Sequence, residues 1–226
     1  MAGKSSTWMV NKPYGWYSGL VDLARPYAAV GPTLDPGVLT VLAGTTRPLT
    51  GREIARLLGR ASHSGVTAAL GRLVDQGLVA REEAGRAFLF TLNRKHLATP
   101  AVELLADLRE ELLRRIREEV DSWKVQAVHI SLFGSAARGD GDTHSDIDLF
   151  AVRKSGVERQ DPDWRDQVDF LGWQIERWTG NPARIVEVAQ EEIGRLKKER
   201  PPVMDNLLTD AIALTGPDIS SLLGGA

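Results

Sequence analysis

The chain has 226 residues, enough for one large domain or two small ones, and its 42% apolar and 26% charged residues are typical of a soluble globular protein. It contains no cysteine, which excludes disulfides and zinc sites built on thiolates. No segment approaches the roughly 18 uninterrupted apolar residues of a membrane span, and the first residues lack the apolar centre of a signal peptide, so we expect a cytoplasmic protein with no membrane partner.

The net charge of -2 hides an asymmetry between the two halves of the chain. Up to Pro100 there are 12 Lys and Arg against 6 Asp and Glu, and beyond it 16 against 24, so the halves carry +6 and -8. A basic half favours a polyanion such as nucleic acid, and an acidic half is compatible with carboxylates gathered for metal ions. Uneven solvation of two surfaces gives the same counts, so charge alone leaves both interpretations open.

The sequence of residues 1–33 predicts an irregular N-terminal segment, which we call the lead-in. Four large aromatic rings stand there among glycines and prolines: Trp8, Tyr14, Trp16 and Tyr17. We expect these rings to pack on a neighbouring surface rather than to bind a ligand, because large apolar side chains gain most from burial.

Three helices and a hairpin follow. The first helix begins near Pro36 and stops at Gly44, and the second opens at Thr50 and Glu53, whose spacing is a capping-box signature. The third repeats apolar residues at helical spacing through "SHSGVTAALGRLVDQG" and ends at Gly77. "LVAREEAGRAFLFTLN" then predicts two short strands around a polar turn.

This order of elements is that of a winged helix, and residues 34–97 resemble the winged helix-turn-helix repressors of the MarR and ArsR type. In that family the third helix enters the major groove of double-stranded DNA and the wing reaches the backbone or the minor groove. The resemblance nominates the polar residues of the outer helix face and the wing tip as DNA-binding: Ser62, His63, Ser64, Thr67, Arg72 and Arg86. A winged helix used only for protein interaction or dimerisation stays an open alternative.

Residues 98–124 predict an amphipathic helix that connects the two halves. Its apolar residues recur at steps of three and four: Leu105, Leu108, Leu112, Ile116, Val120 and Trp123. This stripe either packs within the chain or pairs with a second copy in a homodimer, and the sequence leaves both alternatives open.

The strongest chemical signal is a strand, a Gly-Ser turn and a second strand. The apolar run "VQAVHISLF" leads into Gly134-Ser135, and "DIDLFAV" predicts a strand that carries Asp146 and Asp148 on one face. Two carboxylates so close repel each other unless a cation lies between them, and oxygen ligands alone favour Mg²⁺ or Mn²⁺. The flexible glycine, the serine hydroxyl and the first amides of the next helix suit phosphate oxygens, so the pattern indicates a nucleoside triphosphate site.

Gly134-Ser135, ten residues, then Asp146-Ile147-Asp148 resemble the signature of the DNA polymerase beta-like nucleotidyltransferases, above all their small stand-alone members, over roughly residues 125–217. That family uses a third carboxylate on a later strand, and Glu187 in "ARIVEVAQ" matches it. A solvent-facing glutamate on an edge strand is the alternative.

The resemblance implies roles for the site residues. It makes Asp146, Asp148 and Glu187 the catalytic residues, which together hold the ions of a two-metal site. Gly134 and Ser135 bind the phosphates. Arg138 adds a positive contact to phosphate, unless an ion pair with Asp140 or Asp142 occupies it.

We therefore expect an α+β protein: lead-in 1–33, winged helix 34–97, connecting helix 98–124, nucleotidyltransferase domain with a small mixed sheet 125–217, and tail 218–226. The expected reaction is Mg²⁺-dependent transfer of a nucleoside monophosphate from a triphosphate to a hydroxyl on a protein, an RNA or a small molecule. A protein acceptor would be a partner toxin, as the resemblance to antitoxin nucleotidyltransferases implies. The alternative is a DNA-binding regulator whose nucleotidyltransferase fold senses nucleotide or binds a partner.

Overall fold

A computed structural model describes residues 21–22, 24–31, 33–59, 61–142 and 144–223. The four aromatic residues of the predicted lead-in, Trp8, Tyr14, Trp16 and Tyr17, lie outside the described residues. Within the lead-in a short 3-10 helix spans Pro26–Ala29.

The first domain is a winged helix, as the sequence predicts. Its elements are α1 (Asp35–Ala43), β1 (Leu49–Thr50), α2 (Gly51–Leu57), α3 (His63–Asp75), β2 (Val79–Ala84) and β3 (Ala87–Leu92). The three strands form an antiparallel sheet in the order β1-β3-β2. The capping box of α2 is present, since Thr50 Oγ1 accepts from the amide of Glu53 and Glu53 accepts from the amide of Thr50.

The connecting segment consists of two helices, where the sequence analysis expected one. Helix α4 spans Thr99–Ala106 and α5 spans Leu108–Asp121, with Asp107 between them at φ -95° and ψ 9°, outside helical geometry. Val102 of α4 packs in the core of the winged helix, whereas the apolar residues of α5 pack in the core of the second domain. These are Leu112, Leu113, Ile116 and Val120. The stripe of α5 is therefore buried within the chain.

The second domain is a four-stranded mixed sheet flanked by helices. Its elements are β4 (His129–Phe133), α6 (Gly134–Arg138), β5 (Ile147–Arg153), α7 (Pro162–Thr179), β6 (Ala183–Ala189), a 3-10 helix (Gln190–Glu192), α8 (Ile193–Glu199), α9 (Val203–Asp210), β7 (Ile212–Thr215) and α10 (Ile219–Leu223). The strand order is β6-β5-β4-β7, with β5 and β6 parallel and the other pairs antiparallel. Helix α10 forms part of the expected tail, and its Ile219 is buried.

Apolar residues cover both faces of this sheet. One face, which we call the α7 face, packs against α5 and α7 through side chains such as Leu132, Leu149 and Ala151. The other, the α9 face, packs against α8, α9 and α10 through side chains such as Phe150 and Val152. None of the described helices is long and apolar enough to cross a membrane.

The guanidinium of Arg109, at the start of α5, donates to the carbonyl oxygens of Ala136 and Ala137 in α6. Besides the chain connection through α4 and α5, the lead-in contacts both domains. In the lead-in, the amide of Ala24 donates to the carbonyl oxygen of Gly141 over 2.8 Å. The 3-10 helix that follows packs on α1 and α4 of the winged helix. The turn after β4 is therefore tied to segments that also contact the first domain.

Candidate functional site

Asp146 directly precedes β5 and Asp148 is its second residue, and the two flank the fully buried Ile147, whose side chain packs on the α7 face. Because side chains alternate along a strand, both carboxylates lie on the opposite, α9 face. Asp148 is the strand partner of Phe133, the last residue of β4, so the carboxylate pair stands beside the Gly-Ser turn. The structure thus places the pair where the sequence analysis expected it.

Gly134 brings the backbone close to Asp148. Its φ is 72°, a conformation that side chains with a Cβ rarely adopt, and a Cβ added there would lie 3.1 Å from Asp148 Oδ2. After the glycine, the carbonyl oxygen of Ser135 accepts the amides of Gly139, Asp140 and Gly141, at 2.9, 3.1 and 3.2 Å. The turn therefore closes around Ser135, and it is held next to the carboxylates.

The electrostatics of the pair are those of a site that attracts a cation. Burial raises the pKa of Asp148, the negative charge of Asp146 raises it further, and the guanidinium of Arg184 partly offsets both effects. A cation between the two carboxylates would relieve their repulsion and stabilise the ionised form of Asp148.

Glu187 does not join this pair, which corrects the expected set of three converging carboxylates. In the parallel pairing of β5 and β6, Glu187 is opposite Ala151, while Asp148 is opposite Arg184. Strand partners point to the same side of a sheet, so Glu187 lies on the α7 face and the aspartates on the α9 face.

On that other face Glu187 is part of a buried polar cluster. Trp164 Nε1 donates to Glu187 Oε2 over 2.6 Å, and Arg153 Nη1 donates to the same oxygen over 3.4 Å. The side chains of Glu187 and Arg153 are 11% and 8% exposed, so this ion pair is shielded from solvent. Its role in the structure is to neutralise Arg153 and to satisfy the indole of Trp164, the largest fully buried side chain.

Arg184 is the residue of β6 that reaches the carboxylate pair. Its Nη2 atom lies 2.9 Å from Asp146 Oδ2. The next residues of β6 on this face, Val186 and Val188, pack against the apolar core, so what the strand contributes to the site is the cation. The sequence analysis did not single out Arg184.

A divalent ion fits this site only in part. Among the residues that the structure describes, no group of three or more His, Cys, Asp or Glu side chains is placed to hold a metal ion. The arrangement therefore does not fit the two-ion, three-carboxylate centre expected from the sequence. It fits one ion that brings further ligands with it, because two carboxylates leave most of an octahedral Mg²⁺ shell to other oxygens.

Arg138 points toward two carboxylates of its own domain. Its Nε lies 3.1 Å from Asp140 Oδ2, and its Nη1 lies 2.5 Å from Asp210 Oδ2. The sequence analysis weighed a phosphate contact against an ion pair with Asp140 or Asp142, and the described conformation has the ion pair with Asp140 together with one to Asp210.

The residues nominated for DNA contact are exposed on the winged helix. Ser62 caps α3 by accepting the amide of Gly65, and Arg72 forms an ion pair with Asp35 of α1 in which both hydrogen bonds come from Nη2. The others are His63, Ser64, Thr67 and, in the turn between β2 and β3, Arg86. The hydroxyl of Thr67 donates to the carbonyl oxygen of His63.

Family models assign both halves of the chain. A MarR family model matches residues 32–87, and a nucleotidyltransferase domain model matches residues 113–213. The chain therefore contains a MarR-family winged-helix domain followed by a nucleotidyltransferase domain, which confirms the predicted fold class and order. The second match begins within α5, in agreement with the packing of that helix on the second domain.

Solved structures resemble parts of the chain. A mutant of ZitR from Lactococcus lactis is 28% identical over 40% of this chain, which spans 60% of the ZitR chain, with a TM-score of 0.31. A toxin-antitoxin structure with AMP-PNP is 16% identical over 50% of this chain and 81% of its own, with a TM-score of 0.35. A Sulfolobus solfataricus protein described as a candidate nucleotidyltransferase is 24% identical over 46% of this chain and 80% of its own, with a TM-score of 0.28. No curated protein sequence matches the chain.

The position of Glu187 leads to a prediction about stability. Glu187→Ala leaves Arg153 buried without its partner, so we expect the free energy of unfolding of the second domain to fall by about 3 kcal/mol in urea denaturation. Glu187→Gln keeps an oxygen that accepts from Trp164 and should cost less. Asp146→Ala is the matched control, because its pair with Arg184 is exposed and contributes at most about 1 kcal/mol. Equal stability of Glu187→Ala and the parent protein would contradict the assigned role.

Proposed function

We propose that this protein is a DNA-binding regulator whose nucleotidyltransferase domain binds a nucleoside triphosphate as its magnesium complex. The observation that carries the proposal is the close approach of Gly134 to Asp148, by which the carboxylate pair lies directly beside the Gly-Ser turn.

The residues around the turn divide the binding of the triphosphate between them. Asp146 and Asp148 bind the magnesium ion that accompanies the triphosphate. The first amides of α6 have no partner within the helix, and together with the Ser135 hydroxyl they bind phosphate oxygens. Gly134 suits this position because its φ of 72° is strained for any residue with a Cβ, and an added Cβ would also make a tight contact of 3.1 Å with Asp148 Oδ2. Arg138 reaches the phosphates only if it leaves its two aspartate partners.

Binding of a nucleoside triphosphate has more support than transfer of a nucleoside monophosphate, because the third expected carboxylate, Glu187, lies on the α7 face and not on the α9 face with Asp146 and Asp148. In a two-ion reaction, one ion activates the attacking hydroxyl and is held by several carboxylates. Glu187 cannot supply that contact without leaving its cluster with Trp164 and Arg153, and Arg184 is at the corresponding place beside Asp148. The pair of aspartates remains suited to the ion that travels with the triphosphate.

Transfer of a nucleoside monophosphate to a hydroxyl of a protein, an RNA or a small molecule is the second candidate. It is favoured by the match to the nucleotidyltransferase domain family and by the presence of Asp146, Asp148 and the Gly-Ser turn in one site. A partner toxin as acceptor stays a prediction of the sequence analysis.

The winged helix supplies the DNA-binding part of the proposal. Its third helix exposes His63, Ser64 and Thr67 on the surface opposite the buried Val66 and Leu70, so the helix face that recognises DNA in MarR-family proteins is accessible. The first half of the chain is positively charged, which favours association with the phosphate backbone.

Nucleotide binding can be tested with a fluorescent ATP analogue. We expect saturable binding that requires Mg²⁺ and that weakens about tenfold or more in Asp148→Asn, because the neutral amide loses the charge that holds the cation. Asp169→Asn, an exposed aspartate of α7, is the matched control and should bind like the parent protein. Binding that is independent of Mg²⁺, or equal in both variants, would overturn the proposed site.

Release of pyrophosphate distinguishes the two candidate functions. The protein is incubated with each nucleoside triphosphate and Mg²⁺, with and without duplex DNA, beside the double variant Asp146→Ala and Asp148→Ala. A regulator that only binds nucleotide gives no pyrophosphate above the level of the double variant. Release that is lost in the double variant would instead show cleavage between the α- and β-phosphates in this site and reject the binding-only account, and a labelled nucleoside monophosphate attached to an acceptor hydroxyl would distinguish transfer from hydrolysis.

The wing gives a prediction for DNA binding. Arg86 is exposed at the turn of the hairpin, so Arg86→Ala should weaken binding to random duplex and reduce the slope of log K against log salt by about 1. Arg177→Ala, an exposed arginine of the second domain, is the control and should leave both quantities unchanged. Binding that does not depend on salt would instead favour a winged helix that contacts protein.

A further inference from the structure

The environment of Arg184 differs from that of an ordinary surface arginine. Its backbone is fixed by the parallel register that pairs it with Asp148, and its guanidinium binds Asp146 at 2.9 Å. The side chain of Arg184 is 69% exposed, whereas that of Asp146 is 32% exposed. The guanidinium of Arg184 is therefore held at the solvent-exposed side of the carboxylate pair, which is the side that an ion from solvent would approach.

The positive charge of Arg184 reduces the repulsion between the two carboxylates, as the charge of a metal ion would. Two aspartates on one strand face repel each other, and a positive charge next to them reduces that repulsion. No other cationic side chain contacts Asp146 among the described residues. A divalent ion that binds Asp146 competes with the guanidinium for the charge of the same carboxylate, and it meets the positive charge of Arg184 nearby.

We propose that Arg184 competes with divalent cations for Asp146, so that the site disfavours a free cation and accepts one that arrives with a triphosphate. The triphosphate makes the difference, because its oxygens offer the displaced guanidinium a new anionic partner. This proposal rests on the proposed nucleotide site for its second part, while the competition with a free cation stands on the geometry of Arg184 and Asp146 alone.

Binding of Mn²⁺ alone tests the competition directly. The free ion is measured by its electron paramagnetic resonance signal during titration of the full chain without nucleotide. We expect Arg184→Ala to bind Mn²⁺ about fivefold more tightly than the parent protein, which is the effect of removing an exposed charge pair. Arg184→Lys keeps the charge and should resemble the parent, as should Arg177→Ala.

A double substitution shows whether the increase in Mn²⁺ affinity depends on the carboxylate of Asp146. In the Asp146→Asn background, Arg184→Ala should give a smaller gain in Mn²⁺ affinity than in the parent background, because the contested carboxylate is gone. Unchanged or weaker Mn²⁺ binding in Arg184→Ala would overturn the proposal, and so would an equal gain in both backgrounds. Since Arg184 is mostly exposed, thermal unfolding of each variant should match the parent and exclude a folding defect.

Nucleotide binding by the same variants distinguishes failure of this proposal from failure of the proposed function. The affinity of the fluorescent ATP analogue with Mg²⁺ should be equal or weaker in Arg184→Ala, because the loss of a phosphate partner offsets the easier entry of the ion. If Arg184→Ala increased the affinity for the ATP analogue by the same factor as the affinity for Mn²⁺, the result would contradict the proposed move of the guanidinium from Asp146 to the triphosphate. If the parent protein binds no nucleotide, the proposed function and the exchange fail, while the Mn²⁺ measurements still decide the competition.

Discussion

The parallel pairing of β5 with β6 decides which side chains meet at the carboxylate pair. The register puts Arg184 beside Asp148 and Glu187 beside Ala151, and a shift of one residue would exchange the two faces. That shift is prevented because both faces of β6 are engaged: Glu187 is held by Trp164 and Arg153, and Val186 and Val188 pack on the other side. The packing of the sheet therefore determines the chemistry of the site.

Because of this register, the charged residues on one face of the sheet form a buried ion pair, and those on the other face form an exposed one. On the α7 face a largely buried glutamate neutralises a buried arginine, which stabilises the domain. On the α9 face two partly exposed aspartates lie beside one exposed arginine that pairs with Asp146, an arrangement that a metal ion with its own anionic ligands can rearrange at low cost. The first cluster is suited to structure and the second to binding.

Much of the architecture follows from local signals in the sequence. The capping box at Thr50, the third helix of the winged domain and the strand that carries Asp146 and Asp148 appear as predicted, because each depends on neighbouring residues. The position of Glu187 could not be predicted in this way. Strand β6 is apolar on both faces, so alternation does not reveal which face a single charged residue occupies, and the register depends on distant contacts. The break at Asp107 was likewise hidden, since α4 and α5 continue one apolar stripe while packing on different domains.

The most direct measurement of this account is the anomalous scattering of Mn²⁺ in crystals grown with a non-hydrolysable nucleoside triphosphate. A single Mn²⁺ ion bound by Asp146, Asp148 and phosphate oxygens, with Glu187 still bonded to Trp164, is the expected result. A second ion, or Glu187 among the ligands, would contradict the separation of the two clusters on which the account depends.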